Sequence, residues 1–210
     1  MTRSVPFTIV LMAAGLCHAT TLFSDAGSGA LRTGDGFSLG VEFTVNDSQP
    51  LFVFGLGIWD PSGNALASDH EIGLWDVTAG NIMVDDATVT AGTTNGGTPG
   101  FLFVSVPQTL LNNGDTYQLA TYYTNSPNTD TLFNCCSGSA PTNDPNFTGL
   151  VGVFTASNTV GSLSEPNGTA GHAYVGPNMQ FGPAPEPGTG TLLLSVAVLG
   201  GCIRAMRRRR

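Results

Sequence analysis

The sequence has no lysine, and its arginines crowd toward the two ends. Of the seven, Arg3 lies near the start and Arg204, Arg207, Arg208, Arg209 and Arg210 close the chain, which leaves Arg32 as the single arginine in between. From Thr20 to Gly182 that arginine faces fourteen carboxylates, a formal charge of −13. Nucleic acid and anionic lipid surfaces both call for clustered basic residues, so neither is expected as a partner of this stretch. The charge leaves cations admissible and keeps the segment dissolved by self-repulsion.

Catalytic motifs are also missing. No Gly-x-Ser-x-Gly elbow occurs, and the glycine-rich pieces at Gly27 to Gly36 and Gly92 to Gly100 lack the lysine or the strand-to-helix setting of a phosphate or dinucleotide loop. His70-Glu71 starts like a zinc-protease helix, but Leu74 stands where the second histidine should come one turn later. The expectation is therefore no enzyme, no catalytic residue and no metal site. Two facing carboxylates suffice for glycoside hydrolysis, so a carbohydrate-active enzyme stays as an alternative. Cysteine is scarce too: Cys17 and Cys202 lie in the end segments, and between them only the adjacent pair Cys135-Cys136 remains. Under oxidising conditions that pair has three outcomes: a strained vicinal disulfide, two free thiols, or pairing across chains.

What is present begins with the ends. Residues 1–19 read as a secretory signal, with Arg3 as the basic region, Val5 to Leu16 as the apolar region and Cys17-His18-Ala19 as the cleavage site. At the far end, Pro185 and Pro187 flank Glu186 and make a stiff, extended connector that neither continues a strand ladder nor sits inside a helix. From Gly188 to Ile203 there is no charge. A helix over that span reaches only ~24 Å at about 1.5 Å per residue, and counting through Met206 with Arg204 snorkelling brings it near the ~30 Å of a bilayer core. The terminal arginines hold the end in the cytoplasm, so everything before Gly188 lies across the membrane.

Pro-Glu-Pro, then an apolar helix, then terminal arginines resembles the bacterial PEP-CTERM sorting tail. Pro185, Glu186, Pro187 and Gly188 match its signature, and Arg204 with Arg207 to Arg210 match its cytoplasmic anchor. The resemblance implies recognition by exosortase, a membrane-embedded cysteine protease of Gram-negative bacteria. It also implies a transient stay in the inner membrane and delivery of the exported part to the cell surface, the extracellular matrix and its exopolysaccharide.

Between the ends, residues 20–182 are one domain's worth of chain and all-β in texture, ahead of the tail at 183–210. No stretch there keeps a helical period, and short apolar or alternating runs recur between Gly, Asn, Asp, Thr and Pro clusters. Strands are expected at Phe37 to Val45, Leu51 to Trp59, Glu71 to Val77, Ile82 to Thr90, Phe101 to Val106, Thr116 to Tyr123, Val151 to Phe154 and His172 to Phe181. Their number and spacing suggest a single β-sandwich or jelly roll. Phe52, Phe54, Leu56 and Ile58 should form one buried face, with Gly55 and Gly57 on the other admitting a close neighbour. Gly57-Ile-Trp-Asp60 is echoed by Gly73-Leu-Trp-Asp76, which suggests consecutive strands of one sheet, each ending in an Asp turn. A second hairpin is expected around Asn112 to Asp115. This layout, with its late Tyr174-Val-Gly-Pro-Asn-Met-Gln-Phe181, resembles exported β-sandwich domains of unknown function that precede PEP-CTERM tails.

The residues thus point to a non-enzymatic exported protein of the surface or biofilm matrix. The alternative is a lectin-like module using Trp59, Trp75 or Tyr122 as sugar platforms, against core packing for both tryptophans. No cofactor is expected. Calcium is the one ion with oxygen donors to suit it, at Asp60, Asp76, Asp85-Asp86 and Asn143 to Asn146, none at EF-hand spacing and each also readable as an ordinary Asx turn.

Overall fold

The computed structural model describes residues 19–32, 36–122, 130, 132–134, 140–155 and 162–183. Within Ala19–Pro183, which forms one compact unit, the described residues are all strand, turn and loop. No helix among them is long and apolar enough to cross a membrane, and the apolar run from Thr191 to Ile203 lies outside them.

The strands are β1 (Thr20–Thr21), β2 (Ala30–Arg32), β3 (Ser38–Val45), β4 (Leu51–Asp60), β5 (His70–Asp76), β6 (Ile82–Val89), β7 (Gly100–Leu111), β8 (Thr116–Tyr122), β9 (Leu132–Asn134), β10 (Phe147–Phe154), β11 (Gly168–Ala170), β12 (Tyr174–Val175) and β13 (Pro177–Pro183). All pair antiparallel. A four-stranded sheet runs β1-β13-β4-β7 and a six-stranded sheet runs β11-β10-β3-β8-β5-β6; a small third sheet, β12-β9-β2, completes the set.

The two larger sheets share one core. Val41, Phe43, Ile72, Leu74, Leu119 and Phe147 come from the six-stranded sheet, and Val53, Leu56, Ile58, Leu111, Met179 and Phe181 from the four-stranded one; all are buried. Phe147 joins the layers: its ring meets Phe43 edge-on at 5.1 Å in its own sheet and Phe181 edge-on at 4.8 Å across the core. Each such buried side chain contributes on the order of 1.5–3 kcal/mol, and Phe147 adds ring contacts to both layers.

Several expectations need correction. β4 and β5 are not neighbours in one sheet; β4 belongs to the four-stranded sheet and β5 to the six-stranded one. The Asp60 turn redirects the chain across the core instead of folding it back. The Asn112 to Asp115 turn, with Gly114 at φ 85, does the same between β7 and β8, so no hairpin forms there. The hairpin is β5–β6, closed by Gly80 and Asn81 at φ 95 and 63. β7 also runs past its expected end at Val106, through Pro107. It can do so because it is an edge strand, where the missing N–H of proline costs no ladder bond.

The buried face of β4 differs as well. Leu51 and Val53 are in the core at one end, Leu56 and Ile58 at the other, while Phe52 and Phe54 are half-buried. Both neighbours show a register shift here, between Val53 and Gly55 on the β7 side and between Gln180 and Phe181 on the β13 side. A bulge at Phe54 changes the parity of the strand, so one alternating face becomes two half-faces. The segment expected as one strand from His172 to Phe181 is divided between β12 and β13.

Candidate functional site

The polar groups singled out in the sequence are mostly tied into turns. Asp60 is 2% exposed, and its Oδ1 accepts from Ser62 N (3.0 Å), Ser62 Oγ (3.0 Å) and Gly63 N (2.9 Å). Asp76 accepts from Ala79 N at 2.8 Å, and Asp144 from Asn146 N at 2.9 Å. These are Asx turns, which explains why Asp stands at each position. Among the described residues no three His, Cys, Asp or Glu side chains lie close enough to hold a metal ion together.

His70 is fully buried at the start of β5. Its Nε2 lies 2.7 Å from Asp130 Oδ2, and the same carboxylate accepts from Ala67 N at 3.0 Å and Ser68 N at 3.4 Å. The pair therefore fastens Asp130 to the segment leading into β5. Glu71, the next residue, turns outward and accepts from Leu163 N at 2.9 Å, so the two halves of the His-Glu dipeptide serve different contacts. Beneath the turn after β7, Tyr117 Oη accepts from Asn112 N at 3.0 Å; burial pushes its phenol above the usual tyrosine value, and the Asp76 and Asp115 charges add to this.

A cavity of about 330 Å³ lies beside His172, lined also by Pro141, Asn143, Leu150 and Ala173. The His172 ring stands edge-on to Tyr174 at 5.0 Å, and its Nε2 is buried without a hydrogen-bond partner among the described residues. Asn143 is committed, its Nδ2 donating to the carbonyls of Asp144 and Phe147 at 3.0 Å each. Cys135 and Cys136, Pro185 to Gly188 and the terminal arginines lie outside the described residues.

The aromatic candidates are not brought together. Trp75 is 3% exposed, and its ring lies over Gly73: a Cβ there would stand 2.5 Å from Trp75 Cη2. Tyr122, half-buried at the end of β8, pairs with Ser38 of β3 in the same sheet as Trp75. Trp59 belongs to the other sheet, where it is half-buried and meets Phe101 at 5.0 Å; Phe101 in turn lies 6.1 Å from Phe103. Cross-strand register explains the cluster, since Trp59 is opposite Phe101 and Gly57 opposite Phe103. Gly57 admits the ring, because a Cβ at that position would stand 2.4 Å from Phe103 Cδ1. Gly55 likewise makes room for Gln180. The close neighbours expected beside the glycine pair are therefore Phe103 at Gly57 and Gln180 at Gly55. Phe101 and Phe103 themselves were not singled out as candidates, although their alternation with Leu102 and Val104 marks them as one face of a strand.

Charge is divided between the sheets. The four strands β1, β13, β4 and β7 contain Asp60 as their single charged residue, and it is buried. The six-stranded sheet carries Glu42, His70, Glu71, Asp76, Asp85 and Asp86. Comparison with models of known protein families, with curated proteins and with solved structures finds no match.

Proposed function

We propose that this chain is a non-enzymatic, exported protein of the cell surface or exopolysaccharide matrix of a Gram-negative bacterium. In this reading exosortase sorts it through the tail at 183–210. One observation carries the reading: Pro185-Glu186-Pro187-Gly188, the apolar run Thr191 to Ile203, and Arg204 with Arg207 to Arg210 follow one another in fixed order. That order supplies a connector, a minimal membrane span and a cytoplasmic anchor.

The folded unit fits between the two expected end segments, running from Ala19 to Pro183. Thr20 pairs with Phe181, so the first and last strands of the unit are neighbours in one sheet. The finer reading of the fold is a β-sandwich of the jelly-roll kind, in which two sheets sharing a core remove the need for a covering helix. Its role is binding or packing in the matrix: the carboxylates with mapped partners close turns and fasten loops, and the excess negative charge keeps the released domain hydrated.

The mature C-terminus decides the question. In producing cells the mass of the surface-released protein should show loss of the span after Pro187. Glu186→Ala, or removal of residues 207–210, should leave the unprocessed form in the inner membrane. Release of both variants at the normal rate and mass would refute sorting through this tail.

A further inference from the structure

We propose that the outer face of the four-stranded sheet binds an uncharged polysaccharide, with Phe103, Phe101 and Trp59 as stacking platform and Gln180 and Ser105 as hydrogen-bonding flanks. The proposal rests on the reading of the domain as a binding module of the matrix and names its ligand class.

Three observations combine. The first is the absence of exposed charge on β1, β13, β4 and β7, in a domain whose expected formal charge is −13. A charge-free face on an acidic body admits a neutral partner and repels anionic glycans, anionic lipid and nucleic acid.

The second is how the rings are seated. Phe103 fills the space above Gly57, and Gln180 the space above Gly55. With no side chain on β4 to prop them upright, these groups lie over the strand. Trp59, Phe101 and Phe103 then run in series, each half-buried. An aromatic face carries partial negative charge, which attracts the positively polarised C–H groups on the flat side of a sugar ring. Rings ordered by the free protein have little rotamer freedom left to lose on binding.

The third is the polarity around them. Ser105 is exposed opposite Gly55, and Gln180 is half-exposed opposite the same glycine on the other side. Hydroxyl and amide groups interleaved with aromatics suit a ligand that is itself apolar on one side and hydroxylated at its rim. A lipid surface would need a continuous apolar face with basic flanks, which this sheet does not have. Trp75 makes the contrast clear: it too lies over a glycine, yet it is buried and cannot be reached.

The full chain, purified in a detergent without sugar headgroups, is titrated with neutral cello-, xylo-, manno- and laminari-oligosaccharides and with alginate oligomers as the anionic counterpart. At least one neutral series should bind in the micromolar to millimolar range, and alginate should not. Phe103→Ala should weaken binding roughly ten-fold, the scale of losing one stacking ring. Phe101→Leu and Phe103→Leu keep apolar volume and remove the ring face, so they should lose affinity while the melting temperature holds. Absence of neutral binding at millimolar ligand, or unchanged affinity in both leucine variants, overturns the proposal. A concentration-dependent dimer that Phe103→Ala dissolves, without glycan binding, overturns it in favour of a second copy on this face. Because binding is read on purified protein and sorting in cells, failure of one leaves the other standing.

Discussion

Asn178 satisfies both backbone polar groups of Phe23, 155 residues away: its Oδ1 accepts from Phe23 N at 3.1 Å and its Nδ2 donates to Phe23 O at 2.8 Å. Both residues are fully buried. One amide thus stands in for a strand partner, extending the β1–β13 pairing beyond its last backbone bond, from Leu22 N to Met179 O at 3.1 Å. It ties the first described strand of the domain to its last.

Asn178→Ala leaves the Phe23 N–H buried without a partner, while its C=O keeps the Thr21 hydroxyl at 2.8 Å, and should cost about 1–3 kcal/mol, the scale of one orphaned group. Asn178→Asp keeps the acceptor and sets a carboxylate oxygen against the Phe23 carbonyl, so it should be at least as damaging. Urea unfolding of the two variants measures this; a midpoint within error of wild type for either would show that the pairing is dispensable.

Gly152 and Gly171 offer a paired test of packing. A Cβ on Gly152 would stand 1.8 Å from the His172 carbonyl oxygen, whereas one on Gly171 meets nothing within 4 Å. Gly152→Ala must push backbone apart and should cost about 3 kcal/mol or more. Gly171→Ala should move stability by less than about 0.5 kcal/mol. Equal melting temperatures for the two variants would contradict the close approach of β10 to the segment before β12.

Asp85 sets a pH dependence. Burial raises its carboxyl above the usual aspartate value and the Asp86 charge adds to this, against the Thr109 hydroxyl at 3.1 Å and the Asp86 N–H, which lower it. A raised folded value means that the fold favours the neutral form. Its stabilising contribution is fully present below the ordinary aspartate value and is lost as pH rises through the folded value. Asp85→Asn should therefore gain a few tenths of a kcal/mol at pH 7, a figure kept small by solvent screening, and gain nothing near pH 3. Chemical unfolding at both pH values checks the sign. Loss of stability at pH 7 would mean that the Thr109 bond outweighs burial.

The two tryptophans should separate by fluorescence. With Trp75 3% exposed and Trp59 half-buried, Trp59→Phe should leave emission shifted to shorter wavelength and poorly quenched by acrylamide. Quenching equal to that of the wild type would place Trp75 in solvent and remove its contrast with the half-buried Trp59.

Local chemistry was legible from the residues alone. The all-β class, the Asp60 and Asp76 turns, a turn at Asn112 to Asp115 and the existence of most strands all follow from short-range rules: alternation, turn residues and the absence of a helical period. The short strands at Ala30–Arg32, Leu132–Asn134 and Gly168–Ala170 carry too few residues for any alternation to show.

The sequence by itself determined that Leu51 to Trp59 is a strand, that Gly55 and Gly57 invite a neighbour, and that the domain is acidic with every arginine but Arg32 left to the ends. Only the tertiary structure decided that the neighbours are Gln180 and Phe103, that β4 and β5 lie in different sheets, and that a bulge at Phe54 reverses which side of β4 is buried. The physical reason is that a period of two says a strand has two faces without saying where the count slips. Sheet membership and register are set by hydrogen bonds and packing between residues far apart in the chain.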